Sequence, residues 1–336
     1  MLGAYCLLAC TALAANQWNP EWFIHFGHES TVLPCGRQVL GDDVLVPLEQ
    51  GHDGQAFWLI GRDPLLLDTG QVEQCADRPV YRYQRILYPA LAAPARLLGE
   101  HGLVWALLLV NLAAVGAGAW WAAVLARRLE CPRWAPLAFA LNPAVIGGVV
   151  FDLSDTLAIA LLVGGLAAWA QRRDRWAAGG FAGAALAKEV VLLAVVALAV
   201  WEFRRDRRRA VALAAPGILL VGAWALYTRV RLGWPPTQIQ EFGAPLAGFV
   251  DAYRRGWSVF GNYADMAVAV TLGIAMLVLV VLAVRRRHTL LLMAAPFGII
   301  YPLFTAQVLN LPVNPTRAIG PAITLMALGV TAHRDA

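Results

Sequence analysis

Lysine is nearly missing from this chain: of 27 basic side chains one is a lysine, Lys188, and the rest are arginines. Charge of either sign is scarce, 15% of residues against 59% hydrophobic, which excludes a soluble domain of 336 residues. There is no Gly-x-Ser-x-Gly, no phosphate loop and no dinucleotide fingerprint, which argues against ATP-driven and serine-hydrolase chemistry. No basic cluster interleaved with aromatics lies on a soluble stretch, so no nucleic acid is expected as a partner. Internal repeats, low-complexity tracts and Pro- or Ser-rich linkers are missing too, and one polytopic domain over 1–336 is the economical reading.

What is present in quantity is long apolar runs. Leu103 to Leu125, Ala210 to Tyr227 and Met266 to Val284 are each long enough to cross a hydrocarbon core of about 30 Å as helices. Between runs the arginines gather at Arg127, Arg128 and Arg133, at Arg172, Arg173 and Arg175, at Arg204 to Arg209, and at Arg285 to Arg287. Cytoplasmic loops carry such excess, so these four clusters are expected on the inner side. The stretch Trp176 to Trp201 would then start and end on one side. It reads as two short helices meeting near Lys188 and Glu189, which is tolerated where the turn faces protein or a wet cavity.

Spans at Leu2 to Ala15 and near 103–126, 135–150, 156–170, 210–229, 264–284, 289–306 and 317–332 complete an all-α integral membrane bundle. About nine membrane segments result, with a long first extracytoplasmic loop, 16–101, carrying amphipathic helices, and a second large one, 230–263. The composition suits a high-GC bacterial source, hence a multi-pass protein of a bacterial inner membrane. Its first span lacks a basic flank, and reads as a retained helix or as the result of a start placed too late.

Charges away from water are costly in a membrane protein. His52, Asp53, Asp77, Arg78, Arg82, Arg85, Asp152, Asp155, Lys188, Glu189 and Arg317 all fall at the outer face under this topology, though only arginine clusters were used to assign it. Gly51-His52-Asp53-Gly54-Gln55 reads either as an acid between glycines that let a ligand approach, or as an ordinary Asp-Gly turn. Arg82 and Arg85, three apart, would share a helix face, meeting either phosphate or lipid headgroups. Lys188 and Glu189 neutralise each other or bind a phosphate, Asp155 is a natural N-cap, and Arg317 is a phosphate ligand or a headgroup anchor. Asp152 is harder to explain by capping. His25, His28 and Glu29 have ligand-like spacing on a helix but lack a fourth ligand, so no zinc or other resident metal site is expected. Cys35 and Cys75 share the first outside loop and are expected to pair, whereas Cys131 falls in a cytoplasmic loop and stays reduced.

Asp53-Gly54-Gln55-x-Phe57-Trp58, Asp63-Pro64, Tyr81-Arg82-x-x-Arg85-Ile86-Leu87-Tyr88-Pro89 and Ala187-Lys188-Glu189 together resemble bacterial membrane glycosyltransferases of the GT-C superfamily, the mannosyltransferase-like kind. The resemblance implies a GT-C-like bundle and a polyprenyl-phosphate sugar as donor, with an extracytoplasmic glycan, lipid or protein as acceptor. It makes Asp53 the first-loop catalytic acid, although the family often has two neighbouring acids where this chain has His52-Asp53. Lys188 matches its Lys at a short-helix turn, and Arg317 its late basic residue near the donor phosphate. His52, Gln55, Arg82, Arg85, Asp152 and Glu189 complete the expected substrate-binding set, with a divalent cation such as Mg or Mn as a possible helper. Two other classes fit the same sequence: a transporter or flippase of lipid-linked glycans, and a non-catalytic scaffold on the same fold.

Overall fold

The computed structural model describes residues 1–234, 241–254, 263–309 and 313–333, so much of the second large loop lies outside the described residues. Among those described the chain is all helical, with two isolated bridges and no strand. Three of the described helices are long and apolar enough to cross a membrane: Glu100–Arg128, Arg207–Leu232 and Asp265–Arg286. Each begins or ends as the helix dipole favours, with Glu100 at one N-terminus and Arg127 and Arg128 at that helix's C-terminus. Asp206 caps the second by accepting from the amides of Arg208 and Arg209. Their outward faces stay apolar: Leu109, Leu219, Ile274 and Leu277 are all exposed. Such faces fit lipid rather than water.

Two expected spans are broken. The 135–150 stretch forms Leu137–Ala140 and Pro143–Val150, because Pro143 cannot continue a helix and is suited to start one. The 317–332 stretch forms Val313–Ala318 and Gly320–Thr331. Asn142 ties the two breaks together, donating to the carbonyl of Gly320 at 2.7 Å and to Thr324 Oγ1 at 2.9 Å. Backbone freed from a helix in an apolar medium needs such partners.

The helices Asp174–Ala187 and Leu192–Phe203 form an open V with Arg207–Leu232 packed between its arms. Arg209 closes its feet, donating to Asp174 at 3.0 Å and to Glu202 at 3.3 Å. The pair therefore starts and ends at one end of the bundle, as the arginine pattern requires. The first arm packs closely on Asp155–Ala170 through glycines: a Cβ on Gly180 would come within 2.8 Å of Gly165 Cα. The arginine-rich turns share that end. The amide of His333 bonds the carbonyl of Leu129, and Arg286 bonds the carbonyl of Val330. Glu100–Arg128 and Asp155–Ala170 run in parallel, with Trp121 against Gly164 and Asn111 bonded to the carbonyl of Gly148.

At the other end the first loop is a folded cap of five short α-helices, Val32–Leu40, Asp53–Arg62, Thr69–Cys75, Pro79–Arg82 and Leu87–Ala92, around buried Phe23, Phe26, Trp58, Tyr83 and Tyr88. A Cys35–Cys75 disulfide joins two of them. The cap docks on the far end of Arg207–Leu232, where Trp224 donates to the carbonyl of Tyr83 at 2.6 Å and Arg231 to that of Leu66.

Arg209 is buried between one buried and one half-exposed carboxylate. Its loss leaves the buried Glu202 carboxyl without this partner, a change of about 3–5 kcal/mol. Arg209→Gln is expected to lower the melting temperature in detergent clearly, while Arg208→Gln, at an exposed neighbour, leaves it unchanged; equal melting of both would show that Arg209 does not hold the V together.

Candidate functional site

Five separate stretches deliver charge to one place at the junction of cap and bundle. Asp53 is the first residue of Asp53–Arg62, and Asp155 the first of Asp155–Ala170, so each carboxylate stands at the positive end of a helix. Arg82 ends Pro79–Arg82, and Arg85 follows in the next turn. Lys188 and Glu189 occupy the tip of the V, and Arg317 lies on Val313–Ala318.

Arg317 joins the two acids: its Nη2 donates to Asp53 at 2.8 Å and its Nε to Asp155 at 3.1 Å. Lys188 Nζ donates to Asp155 and, at 2.9 Å, to the carbonyl of Arg317. Asp53 also takes Arg82 Nη1, with Arg85 Nη1 at 3.6 Å. Outward of these, Arg82 is bound by Asp77 and Arg85 by Glu189. Tyr81 stands among them, accepting from Arg85 at 2.9 Å with the guanidiniums of Arg78, Arg82 and Arg85 at 4.8, 5.9 and 5.1 Å from its ring centre. Burial alone would raise the Asp53 carboxyl; the guanidiniums of Arg317, Arg82 and Arg85 outweigh it and hold it well below the usual carboxylate range. Asp53 is therefore ionised at neutral pH.

Several sequence expectations need correction. Asp155 is no cap: Ser154 holds that position, and the Asp155 side chain serves Lys188 and Arg317. Arg82 and Arg85 do not share a helix, since the helix ends at Arg82; they meet because both turn toward Asp53. Lys188 and Glu189 do not pair with each other. Lys188 has an extended backbone (φ −157°, ψ 112°), which sends neighbouring side chains to opposite sides. The glycines of the Asp53 stretch make room for the chain itself: a Cβ on Gly51 would lie 2.7 Å from the Gly27 amide, and one on Gly54 2.5 Å from the Phe151 carbonyl. Gln55 is spent inside the cap, accepting from the Gly27 amide at 3.3 Å. His25, His28 and Glu29 lie on no helix, His25 having φ 53°. His25 and His52 instead pack on Phe151, at ring centroid distances of 4.7 and 4.3 Å, and burial pushes His25 down to about 4, which leaves it neutral.

Among the described residues no group of three His, Cys, Asp or Glu side chains is placed to hold a metal. Asp53 and Asp155 already face Arg82, Arg85, Lys188 and Arg317, so a divalent cation between them would meet four positive charges. The residues present do not fit one.

Asp152 stands apart from the ion cluster. It is fully buried with φ 47°, one oxygen accepting from Tyr88 at 3.3 Å and the other, like Oδ1 of Asn111, without a hydrogen-bond partner among the described residues. Asn111 donates to Tyr88 at 2.8 Å. Burial pushes the Asp152 carboxyl well above the usual carboxylate range, against the opposing hydrogen bonds of Tyr88 and Asn111. Asn111 was findable in the sequence as a lone amide inside a long apolar run. The roles of Asp77 and Tyr81 were not, since neither stands out from its neighbours.

A cavity of about 240 Å³ is lined by Asn19, Pro20, Glu21, Leu40, Asp43 and His101 and lies away from the cluster. Asp53, Ala56, Phe57, Tyr81, Arg82 and Arg85 line one of about 10 Å³, room for a single water. No protein family, characterised protein or solved structure matches this chain.

A carboxyl whose folded-state pKa is raised costs stability as pH climbs above its unfolded value, about 4. Asp152→Asn removes that cost and keeps a side chain that tolerates positive φ. The variant is expected to melt at or above wild type, with the gap widening from pH 5 to pH 8; a gap that narrows with rising pH would mean that Asp152 is ionised in the folded protein.

Proposed function

We propose that this chain is a membrane glycosyltransferase of the GT-C kind, moving a sugar from a polyprenyl-phosphate donor to an extracytoplasmic glycan, lipid or protein. One observation carries the reading: Arg82, Arg85 and Arg317 converge on Asp53, with Lys188 joined to them through Asp155 and the Arg317 carbonyl, at the end of the bundle opposite the arginine-rich turns. In this reading those turns are cytoplasmic, the broken helices and the V complete about nine membrane segments, and the membrane is a bacterial inner membrane.

The position of the cluster supports it. The 14 residues of Asp174–Ala187 rise about 21 Å from the basic end, which carries the tip of the V and its charges to the side of the bundle where the cap sits. A lipid phosphate from the opposite leaflet reaches that side with its chain still in hydrocarbon. Four cations suit the charge that builds on a departing phosphate. The acceptor oxygen bonds to the anomeric carbon as the bond from that carbon to the phosphate oxygen breaks, so polyprenyl phosphate leaves with the bonding pair. The hydroxyl proton passes to Asp53, whose basicity rises once the phosphate draws the guanidiniums off it. Lys188 and Arg317 hold Asp155 and, with Arg82 and Arg85, offset the phosphate charge.

A transporter of lipid-linked glycans is the second reading, favoured by the two helix breaks that meet at Asn142 and Gly320. Transfer of labelled sugar from a polyprenyl-phosphate donor by protein in lipid separates the two. Wild type is expected to transfer or hydrolyse donor, and Asp53→Asn and Lys188→Ala to lose about 100-fold or more while eluting as folded protein, the scale for removing one stabiliser of a developing charge. Movement of the donor across vesicles without turnover of any donor offered would favour transport.

A further inference from the structure

Arg82 and Arg85 hold their guanidiniums in matching ways. Arg82 gives Nε and Nη2 to the two oxygens of Asp77 at 3.0 and 2.9 Å, and Arg85 gives Nε and Nη2 to the two oxygens of Glu189 at 3.3 Å each. In both, Nη1 is turned inward to Asp53. The edge carrying Nε and Nη2 is a two-donor fork, which binds phosphate as well as it binds carboxylate. Each fork is thus filled by an acid of the chain itself.

The acids differ in how firmly they are held. Asp155 is 1% exposed and Asp53 20%, each tied down by Arg317, whereas Glu189 is 31% and Asp77 46% exposed. Asp77 precedes the turn at Arg78, and Glu189 heads a three-residue turn at the tip of the V. The two outer carboxylates can leave into water at little cost, as partly exposed ion pairs contribute little; the inner two cannot. Arg78, Arg82, Arg85, Lys188 and Arg317 balance Asp53, Asp77, Asp155, Glu189 and Glu241, five charges against five. Without the outer pair the cluster carries two positive charges in excess, which suits a phosphate dianion.

We infer that the paired forks of Arg82 and Arg85 are a phosphate site occupied at rest by Asp77 and Glu189, two carboxylates that an incoming phosphate group displaces. Asp77 and Glu189 then set the affinity and discriminate against weaker anions, which cannot offset the loss of both. Tyr81 shares the small cavity with the two arginines and orients Arg85 toward the bound group. The inference rests on the proposed function only in taking the ligand to be a phosphate; it requires no transfer.

Binding, not turnover, tests it. Inorganic phosphate is titrated against the full chain in phosphatidylcholine nanodiscs and followed by phosphorus NMR line width, and a second series uses polyprenyl phosphate built into the disc. Asp77→Asn with Glu189→Gln is expected to bind phosphate about tenfold more tightly than wild type, a change of about 1.4 kcal/mol. Arg82→Gln and Arg85→Gln are expected to lose binding. Either single acid variant, Asp77→Asn or Glu189→Gln, should fall between, which keeps the test open if the double variant does not fold. Tightening in the inorganic series places the recognition in the phosphate itself, and tightening only in the disc series places it in a phosphate presented by lipid; both support the site. Folded acid variants that bind no tighter than wild type, or more weakly, would overturn it, since the carboxylates would then be positioning the arginines rather than occupying their forks. Sugar transfer without this tightening would sink the inference alone, and tightening without transfer would sink the glycosyltransferase reading alone.

Discussion

Arg317 bridges Asp53 of the cap and Asp155 of the bundle, while its own carbonyl receives Lys188 from the tip of the V. Three parts of the chain that share no sequence neighbourhood are thereby held by one residue. The interaction is strong because of where it sits. Asp155, Lys188 and Arg317 are all buried, and a charge taken from water is tolerable only if its partners are close and complete. Remove Arg317 and both acids lose a partner in a setting that cannot supply another. The rest of the site follows from this constraint: the cap must close over the bundle at the height of Arg317, which sets where Arg82 and Arg85 come to rest.

Charge balance also decides what the site can do. A cluster of arginines with no acids would bind any passing anion, and a cluster fully buried with its acids would bind none. Here two acids are fixed and two are at the rim, so the arginines are preorganised and their outward forks are only lightly covered. That arrangement favours an anion of two charges with oxygens spaced to fill both forks. Apart from it, Tyr88, Asn111 and Asp152 form a separate buried hydrogen-bonded group.

Much of the fold was legible because membranes impose simple rules. Runs as long as Glu100–Arg128 have few alternatives to a helix, and arginine clusters mark one end of each. The same rules exposed the V, since Trp176 to Trp201 had to turn back, and Arg209 shows how its feet are joined. The broken stretches at Asn142 and Ile319 were misread as continuous spans. Hydropathy counts apolar area and is blind to a backbone break when an amide such as Asn142 satisfies it from within.

In the candidate site the sequence by itself marked most of the charged residues, together with His52, Gln55 and Asp152, which pack elsewhere. Asp53, Arg82, Arg85, Lys188, Glu189 and Arg317 stood out because a charge near a span is costly enough to need a reason. The Cys35–Cys75 link was equally plain, as two cysteines in one loop. Only the tertiary structure decided the partners. Lys188 and Glu189 are adjacent yet point apart because the backbone is extended there, and Asp155, which looks like a helix cap, is an inner anchor. Attraction between charges has no sequence pattern of its own. It depends on distances that exist only after the helices have packed, which is why the list of residues was readable and the pairing was not.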